Sequence, residues 1–591
     1  MSTALEAASL IMIPTSYSDG LLASAKPNDG AGDFTFTRGS NISATRVNAD
    51  GNIEKGYENL LLQSNTFDTT WAVANGTITS GESGYDGSNN AWLYTKNASF
   101  GQVRQSISAS NVLTCSIYVK LYDETEADSI YFRADSSGGT ASAYFNLSTQ
   151  SINTASNIID SDIESVGDDW FRISMTFDRT ITIIRIYPSL GNNTNTTSGS
   201  IYIQDAQLNQ GMVAYPYVET TTAPVAAGIL EDTPRIDFSG GNQSLLLEPS
   251  RTNESPHSEY YDVFLNYGTG KCTFTPNAAI SPEGFQNSFK VVLNSNQQNG
   301  GGAISTRMRR FTQGAIITFS MFFKADEFDQ VILGGFFQNE SATFNLKDGS
   351  VVSQASNVID AYSIPFGNGW YRCVVTYTFQ DGIGNGYLYS GFRVVAISDG
   401  VSSVGDGVKG LFAYGAQFEE ATYPTSYIPT YGVSQTRLND VTDRGSNLAY
   451  TGNYTLFMEF ELTKDGVYFL NSNTSTAYNF FIENDDCYFQ FGRTGGDSGS
   501  VSFVNMFYWR AALGTTIKMA FYKSGTNAKL FVNGRPYTPS GNTLSTGNEV
   551  LDWRYLNYTT TPNRQQQAYI KQLVEFETAL SDEACIELTT I

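Results

Sequence analysis

A chain that carries the same stretch twice is constrained to carry the same fold twice. Residues 155–172 read ASNIIDSDIESVGDDWFR and residues 355–372 read ASNVIDAYSIPFGNGWYR. Each is a turn-rich run, then a Gly-Asp-Asp or Gly-Asn-Gly turn, then Trp-Phe-Arg or Trp-Tyr-Arg opening an alternating strand, so the repeated unit is a β-domain. Further landmarks recur in the same order. Asn59, Ser64 and Phe67 match Asn253, Ser258 and Tyr261; residues 116–120 match 320–324; residues 145–147 match 344–346; residues 205–208 match 415–418. The offset drifts only by short insertions and deletions, which makes this a tandem duplication of a whole domain.

Within each copy, stretches such as CSIYVKLY and WFRISMTF, or ITFSMFFKA and WYRCVVTYTF, alternate apolar and polar residues between turn signals. That pattern buries one face of an antiparallel sheet, as in a sandwich or jelly roll. The 54 Gly, 35 Tyr and 38 Phe, with few Lys, Arg or Glu, suit short strands and tight turns across the chain. The expected fold is therefore all-β: an N-terminal arm (1–56), two homologous antiparallel jelly-roll or β-sandwich domains (57–220 and 243–430) and a third β-module (431–591). The linker 221–242, with two prolines and a Gly-Gly, reads as a hinge or arm. The N-terminal arm is too short to bury a core alone. It is expected to dock on its own domains or on a neighbouring subunit. In the third module Asn533-Gly534 reads as a hairpin turn, and Ser581 as the N-cap of one short helix.

Charge and cysteine content exclude several functions. With 35 Lys and Arg against 58 Asp and Glu, the formal charge of −23 repels phosphate backbones and anionic membranes, so no nucleic-acid partner is expected. The five cysteines are odd in number, scattered and without a C-x-x-C pair, and read as buried thiols. The first residues lack a basic leader, and no run approaches the roughly 18 apolar residues that span a bilayer. The expectation is a soluble chain made in a cytoplasm, with no membrane insertion.

Several segments resemble a family of tailed-bacteriophage structural proteins that carry carbohydrate-binding-like jelly rolls on tail fibres, head fibres and capsid decorations. They are DFTFTRGS with ATRVN, LLLEPSRTN, GNGWYR, and GAQFEE through IPT. The C-terminal third is similar to a concanavalin or laminin-G sandwich through Leu530-x-Val532-Asn533-Gly534 and the closing Ala579-Leu580-Ser581-Asp582-Glu583. The resemblance implies a virion protein assembled in a bacterial host cytoplasm as a homo-oligomer, with a trimer expected. It also implies attachment to other virion proteins through residues 1–56 and loops that bind host surface polysaccharide. The competing reading is a purely structural decoration or connector protein. No sustained heptad or β-helix repeat is present to build a shaft, so a compact appendage is expected.

Chemistry-bearing residues each have a structural reading beside the functional one. Trp170 and Trp370 could stack on sugar rings. They also stand between a turn and a strand at the same place in both copies, where a sandwich plants a core aromatic, and with Arg172 and Arg372 they mark the repeat. Trp509 and Trp553 are further candidate sugar platforms. Carboxylate pairs of the kind glycoside hydrolysis needs occur at Asp160 with Asp162 and Glu164, Asp168 with Asp169, Glu419 with Glu420, and Asp485 with Asp486. In so acidic a chain these read as solvated turns. His257 is the only histidine and no G-x-S-x-G accompanies it. The expectation is a protein that is not an enzyme and has no cofactor, with Ca²⁺ on Asp29, Asp33, Asp123 or Glu124 as the alternative.

Overall fold

The computed structural model describes residues 3–40, 43–261, 271–300, 311–335, 339–380, 390–443, 450–451, 453–462, 476–483, 486–493, 505–510, 514–525, 527–538, 550–551 and 567–590. The period-two patterns form antiparallel sheets that pack in pairs. In the first copy one sheet runs in space through Asp160–Gly167, Trp170–Asp178, Val112–Leu121, Ser200–Gln210, Ala91–Lys96 and Gly76–Glu82. The second copy repeats that order strand for strand: Val358–Pro365, Trp370–Thr378, Ile316–Ala325, Gly410–Glu419, Ser288–Leu293 and Cys272–Ala279. A second sheet faces each of these. Ile117, Ile173 and Ile203 share one core with Phe132 and Phe145, while Phe319, Met321 and Phe418 share another with Val331 and Phe344. The register shifts at the same point in both copies, between Ser116 and Tyr118 and between Ser320 and Phe322. Opposite those bulges sit Asp205 (φ 53°) and Gly415 (φ 66°), both in the left-handed region.

Hydrogen bonding explains why certain polar residues recur. The Asn59 amide donates to the carbonyls of Ala206 and Val218 and accepts from the amides of Leu61 and Leu208, at 2.9–3.2 Å. Asn253 does the same with Ala416, Ile428, Ser255 and Phe418, at 2.8–3.1 Å. Each side chain closes its sandwich by satisfying four buried backbone groups. Leaving one such group unpaired costs about 1–3 kcal/mol, so Asn253→Ala is expected to destabilise its domain by about 3 kcal/mol. Asn59→Ala should cost a similar amount, read as a shift of the urea transition; a loss under about 1 kcal/mol in either variant would contradict this role.

The arm and the linker are not free segments. Leu10–Met12 pairs with Ala568–Phe576, placing Leu10 opposite Glu575, and the linker strand Ile236–Asp237 with the strand Ser244–Leu247 just after the linker extend the same eight-stranded sheet. Phe34–Thr37 pairs with Val441–Asp443. Leu10, Met12, Leu22, Phe34 and Phe36 lie in one core with Leu245, Met458, Met519 and Ile570. Apolar residues too few to form a core of their own thus complete that of the C-terminal module. There, Asn533 (φ 46°) and Gly534 (φ 76°) make the hairpin turn, and the Ser581 hydroxyl caps the helix Asp582–Thr589 by accepting from the Ala584 amide at 3.2 Å.

Candidate functional site

Two buried ionic networks fix where the segments meet. The first holds Arg38 from the arm, Arg235 and Glu248 from the strand region between the copies, and Arg437 and Asp440 beyond the second copy; all five side chains are fully buried. Glu248 Oε2 accepts from Arg235 at 2.7 Å and from the Ser426 hydroxyl at 2.6 Å, and pairs with Arg437 Nη1 at 2.8 Å. Its Oε1 accepts from the Ser426 amide at 2.8 Å and Gln567 at 2.7 Å. Asp440 takes Arg235 and Arg38. Burial alone would raise the Glu248 pKa, but the Arg437 and Arg235 guanidiniums and the Ser426 donors outweigh it and bring the carboxyl down to about 2.

The second network joins the arm to both copies. Lys55 Nζ lies 2.8 Å from Glu259 and 3.0 Å from Glu283. Tyr215 of the first copy and Tyr414 of the second each donate to Glu283 at 2.8 Å, and Tyr427 donates to Glu259 at 3.0 Å. Burial works against the ammonium, yet the two carboxylates more than compensate and hold the Lys55 pKa well above its ordinary value. The Glu259 carboxyl is pushed up, chiefly by burial and against the pull of Lys55, because two buried acids share one cation.

Between these networks opens a cleft of about 500 Å³, walled by the arm, the inter-copy strands, the second sandwich and the C-terminal strand. This is the size and composition of a small-ligand site. Phe322, Tyr423 and Tyr427 line it and are nearly inaccessible, while Tyr362, Phe366 and Tyr569 line it and are half-buried. Three cations and three carboxylates line it. Arg46 is tied to Glu54 at 2.8 Å and to the Tyr17 hydroxyl at 2.8 Å. Lys571 donates to Thr516 at 2.6 Å and lies 3.7 Å from Glu461. Asp237 accepts the Val47 and Ser239 amides at 2.8 and 2.9 Å, and burial raises its pKa. Arg372 stacks its guanidinium 5.4 Å from the Phe322 ring centroid and donates to the Ser320 hydroxyl at 2.9 Å.

Of the candidate site residues picked out by sequence, Arg372 alone lines this cleft. Trp170 and Trp370 are each 2% exposed, so neither has an open ring face, and the Trp370 indole N–H is spent on the Ile280 carbonyl at 3.1 Å. Both are buried, but on the sheet face opposite the sandwich cores that take Phe171, Ile173 and Cys373: Trp170 packs against Tyr85 and Tyr202, and Trp370 clusters with Ile53, Phe322, Tyr414 and Tyr427. Trp509 lies on the strand Asn505–Arg510, and Trp553 falls outside the described residues. Arg172 donates to the carbonyls of Ala214 and Tyr215 and to the Ser116 hydroxyl. Asp29 and Asp123 accept from the amide two residues on, Asp33 accepts from Ser24, and Glu124 is exposed. Among the described residues no three His, Cys, Asp or Glu side chains gather as a metal site. Of the paired acids, Glu419 is buried and holds Thr425 and Gln417, and Asp160 accepts from Asn277 of the other copy at 2.5 Å. Asp485 lies outside the described residues. Cys115, Cys272, Cys373 and Cys585 are free and buried. No described helix is long and apolar enough to cross a membrane.

No protein-family model matches the sequence, and no curated protein matches it. Among solved structures, the tandem CBM22-1–CBM22-2 domain of Paenibacillus barcinonensis Xyn10C is 9% identical, covering 65% of this chain and 99% of its own at a TM-score of 0.21. The LG1–3 region of the laminin α2 chain is 10% identical, covering 81% and 97% at 0.17. A mutant of Trypanosoma rangeli sialidase displaying trans-sialidase activity is 9% identical, covering 94% and 98% at 0.19. Scores this low carry no functional argument, and the β-sandwich assignment rests on the sheets themselves. The appearance of sialidases among these matches does correct one expectation: the chain is no longer read as a non-enzyme. They assign it no activity either.

Proposed function

We propose that the chain is a glycan-binding component of a tailed-bacteriophage appendage and that the junction cleft is where it holds sugar. The observation that carries the binding half is the cleft's lining, in which the half-buried aromatics Tyr362, Phe366 and Tyr569 stand beside fixed charges. Apolar sugar faces stack on such rings while hydroxyls bond the charged groups. The virion half is supported by the phage-like segments of the sequence. Assembly as a trimer, with avidity multiplied by copy number, belongs to the same reading. Contact with other virion proteins through residues 1–56 would use the arm's outward side, since its described strands are paired within the chain.

The test uses the full chain, because the arm supplies part of the wall. On an array of bacterial surface glycans, wild-type protein should bind a subset. Tyr362→Ala and Tyr569→Ala should each weaken that binding by about five- to tenfold, as loss of one stacking surface of about 1–1.5 kcal/mol implies. Unchanged binding in both variants would place the sugar elsewhere. Asp237, Asp360 and Glu461 line the same cleft, so the bound glycans should also be assayed for new reducing ends.

A further inference from the structure

The two copies treat the same arginine differently. In the first, Arg172 lies 5.4 Å from the Tyr118 ring centroid, donates to Ser116, and has the carbonyls of Ala214 and Tyr215 across its remaining donors. In the second, Arg372 keeps the stacked ring, now Phe322, and the serine, now Ser320. Among the described residues no carbonyl stands in the corresponding place. The loop that would supply one is held elsewhere through its serine: the Ser426 hydroxyl is bound to Glu248, Arg235 and Arg437, and its amide to Glu248.

The result is an arginine, 8% exposed as a residue, whose Nε has no partner and whose one hydrogen-bonding side chain among the described residues is Ser320, set into the wall of the cleft. Nε also lacks a partner in Arg172, so the difference between the copies lies at the terminal nitrogens. A buried cation with unfilled donors is costly, and a planar fork of N–H groups matches an oxyanion better than a hydroxyl.

Building on the glycan-binding reading above, we infer that the cleft takes an acidic glycan, whose carboxylate or sulfate seats on Arg372 in the place that backbone carbonyls fill on Arg172. The stacked Phe322 and the Ser320 bond fix the plane of the guanidinium before ligand arrives, which limits the ordering required on binding.

Titration calorimetry on the full chain tests this with three oligosaccharides of equal length: one bearing glucuronate, the same one carboxyl-reduced to its neutral form, and one bearing sulfate esters. The expected result is that at least one acidic probe binds roughly ten- to a hundredfold tighter than the neutral one, the range of a charge-assisted pair. Which acidic probe it is identifies the source of the oxyanion. Arg372→Gln should erase the preference while leaving weak neutral binding, and Arg372→Lys should restore part of it. Equal affinity of wild-type protein for neutral and acidic probes overturns the inference while leaving the glycan site standing, and needs no variant to fold. Retention of the acidic preference by Arg372→Gln also overturns it. Absence of binding to all three probes overturns the cleft reading as well.

Discussion

Replacing Glu248 by alanine is expected to destabilise the chain by about 3–5 kcal/mol, because it leaves buried guanidiniums facing one another without their shared carboxylate. Arg235 and Arg437 both rest on Glu248 Oε2, and each has 0% side-chain exposure. Glu248→Gln is the sharper variant. It keeps the shape and an acceptor for Ser426 but removes the charge, so it should cost nearly as much as alanine. The pH dependence follows from the carboxyl being held down at about 2. Its stabilisation is complete above the unfolded carboxyl pKa of about 4.3 and is lost as pH falls from there towards about 2. Urea unfolding at pH 7 and pH 3 should therefore show wild type and Glu248→Gln converging at the acid end. A Glu248→Gln transition within about 1 kcal/mol of wild type at pH 7 would mean that the network contributes little. Because Glu248 also positions Ser426, between Tyr423 and Tyr427 in the cleft wall, glycan binding should fall in the same variants.

What could be read from the sequence was what repeats. Asn59 with Asn253, and Ser64 with Ser258, recur because each satisfies the same buried groups in its own copy, so a physical requirement printed itself twice. The Asn533-Gly534 turn and the Ser581 cap were equally legible, since both act within a few residues of themselves. The arm was not. Leu10 to Met12 alternates like any three-residue strand, and nothing in it specifies residues 573–575 as its partner. The prolines and glycines of 221–242 suggested a hinge, whereas the run Leu245-Leu246-Leu247 just beyond already carried the contrary signal. Three consecutive apolar residues with both faces buried do not belong to a free edge. The cleft was invisible for a related reason, since its walls come from four segments that only the fold brings together.

Arg372 shows how a repeat marker becomes a candidate ligand contact. Its strand position, stacked ring and serine are inherited from the duplicated fold and are shared with Arg172. What differs is the next layer, where Arg235, Arg437 and Glu248 draw the 423–427 loop towards the C-terminal module. The charge network that ties the modules together is thus also what uncovers the arginine, which links stability at Glu248 to chemistry at the cleft.

Lys55→Met removes the cation between two acids rather than an acid between cations, and its consequences should run the opposite way with pH. Glu259 and Glu283 would remain buried, braced by Tyr215, Tyr414 and Tyr427, with no ammonium between them. The expected loss at pH 7.5 is about 3–5 kcal/mol, the range for breaking a buried pair from one side. Glu259 already has a raised pKa in the presence of Lys55, and removing the lysine raises it further. The folded variant then binds a proton that the unfolded chain releases above about pH 4.3, so its stability rises as pH falls from 7.5 to 5. Wild type gains less over that range, because the Lys55 ammonium pulls the Glu259 pKa down from where burial alone would put it. Urea transitions at the two pH values should show the gap between variant and wild type narrowing by more than about 1 kcal/mol at pH 5; a gap that stays constant would mean that the lost packing of the lysine stem, and not the unpaired carboxylates, sets the cost. Tyr215 reaches this site from the first copy, so the same substitution should loosen the contact between the two sandwiches and expose the 57–220 unit to earlier unfolding.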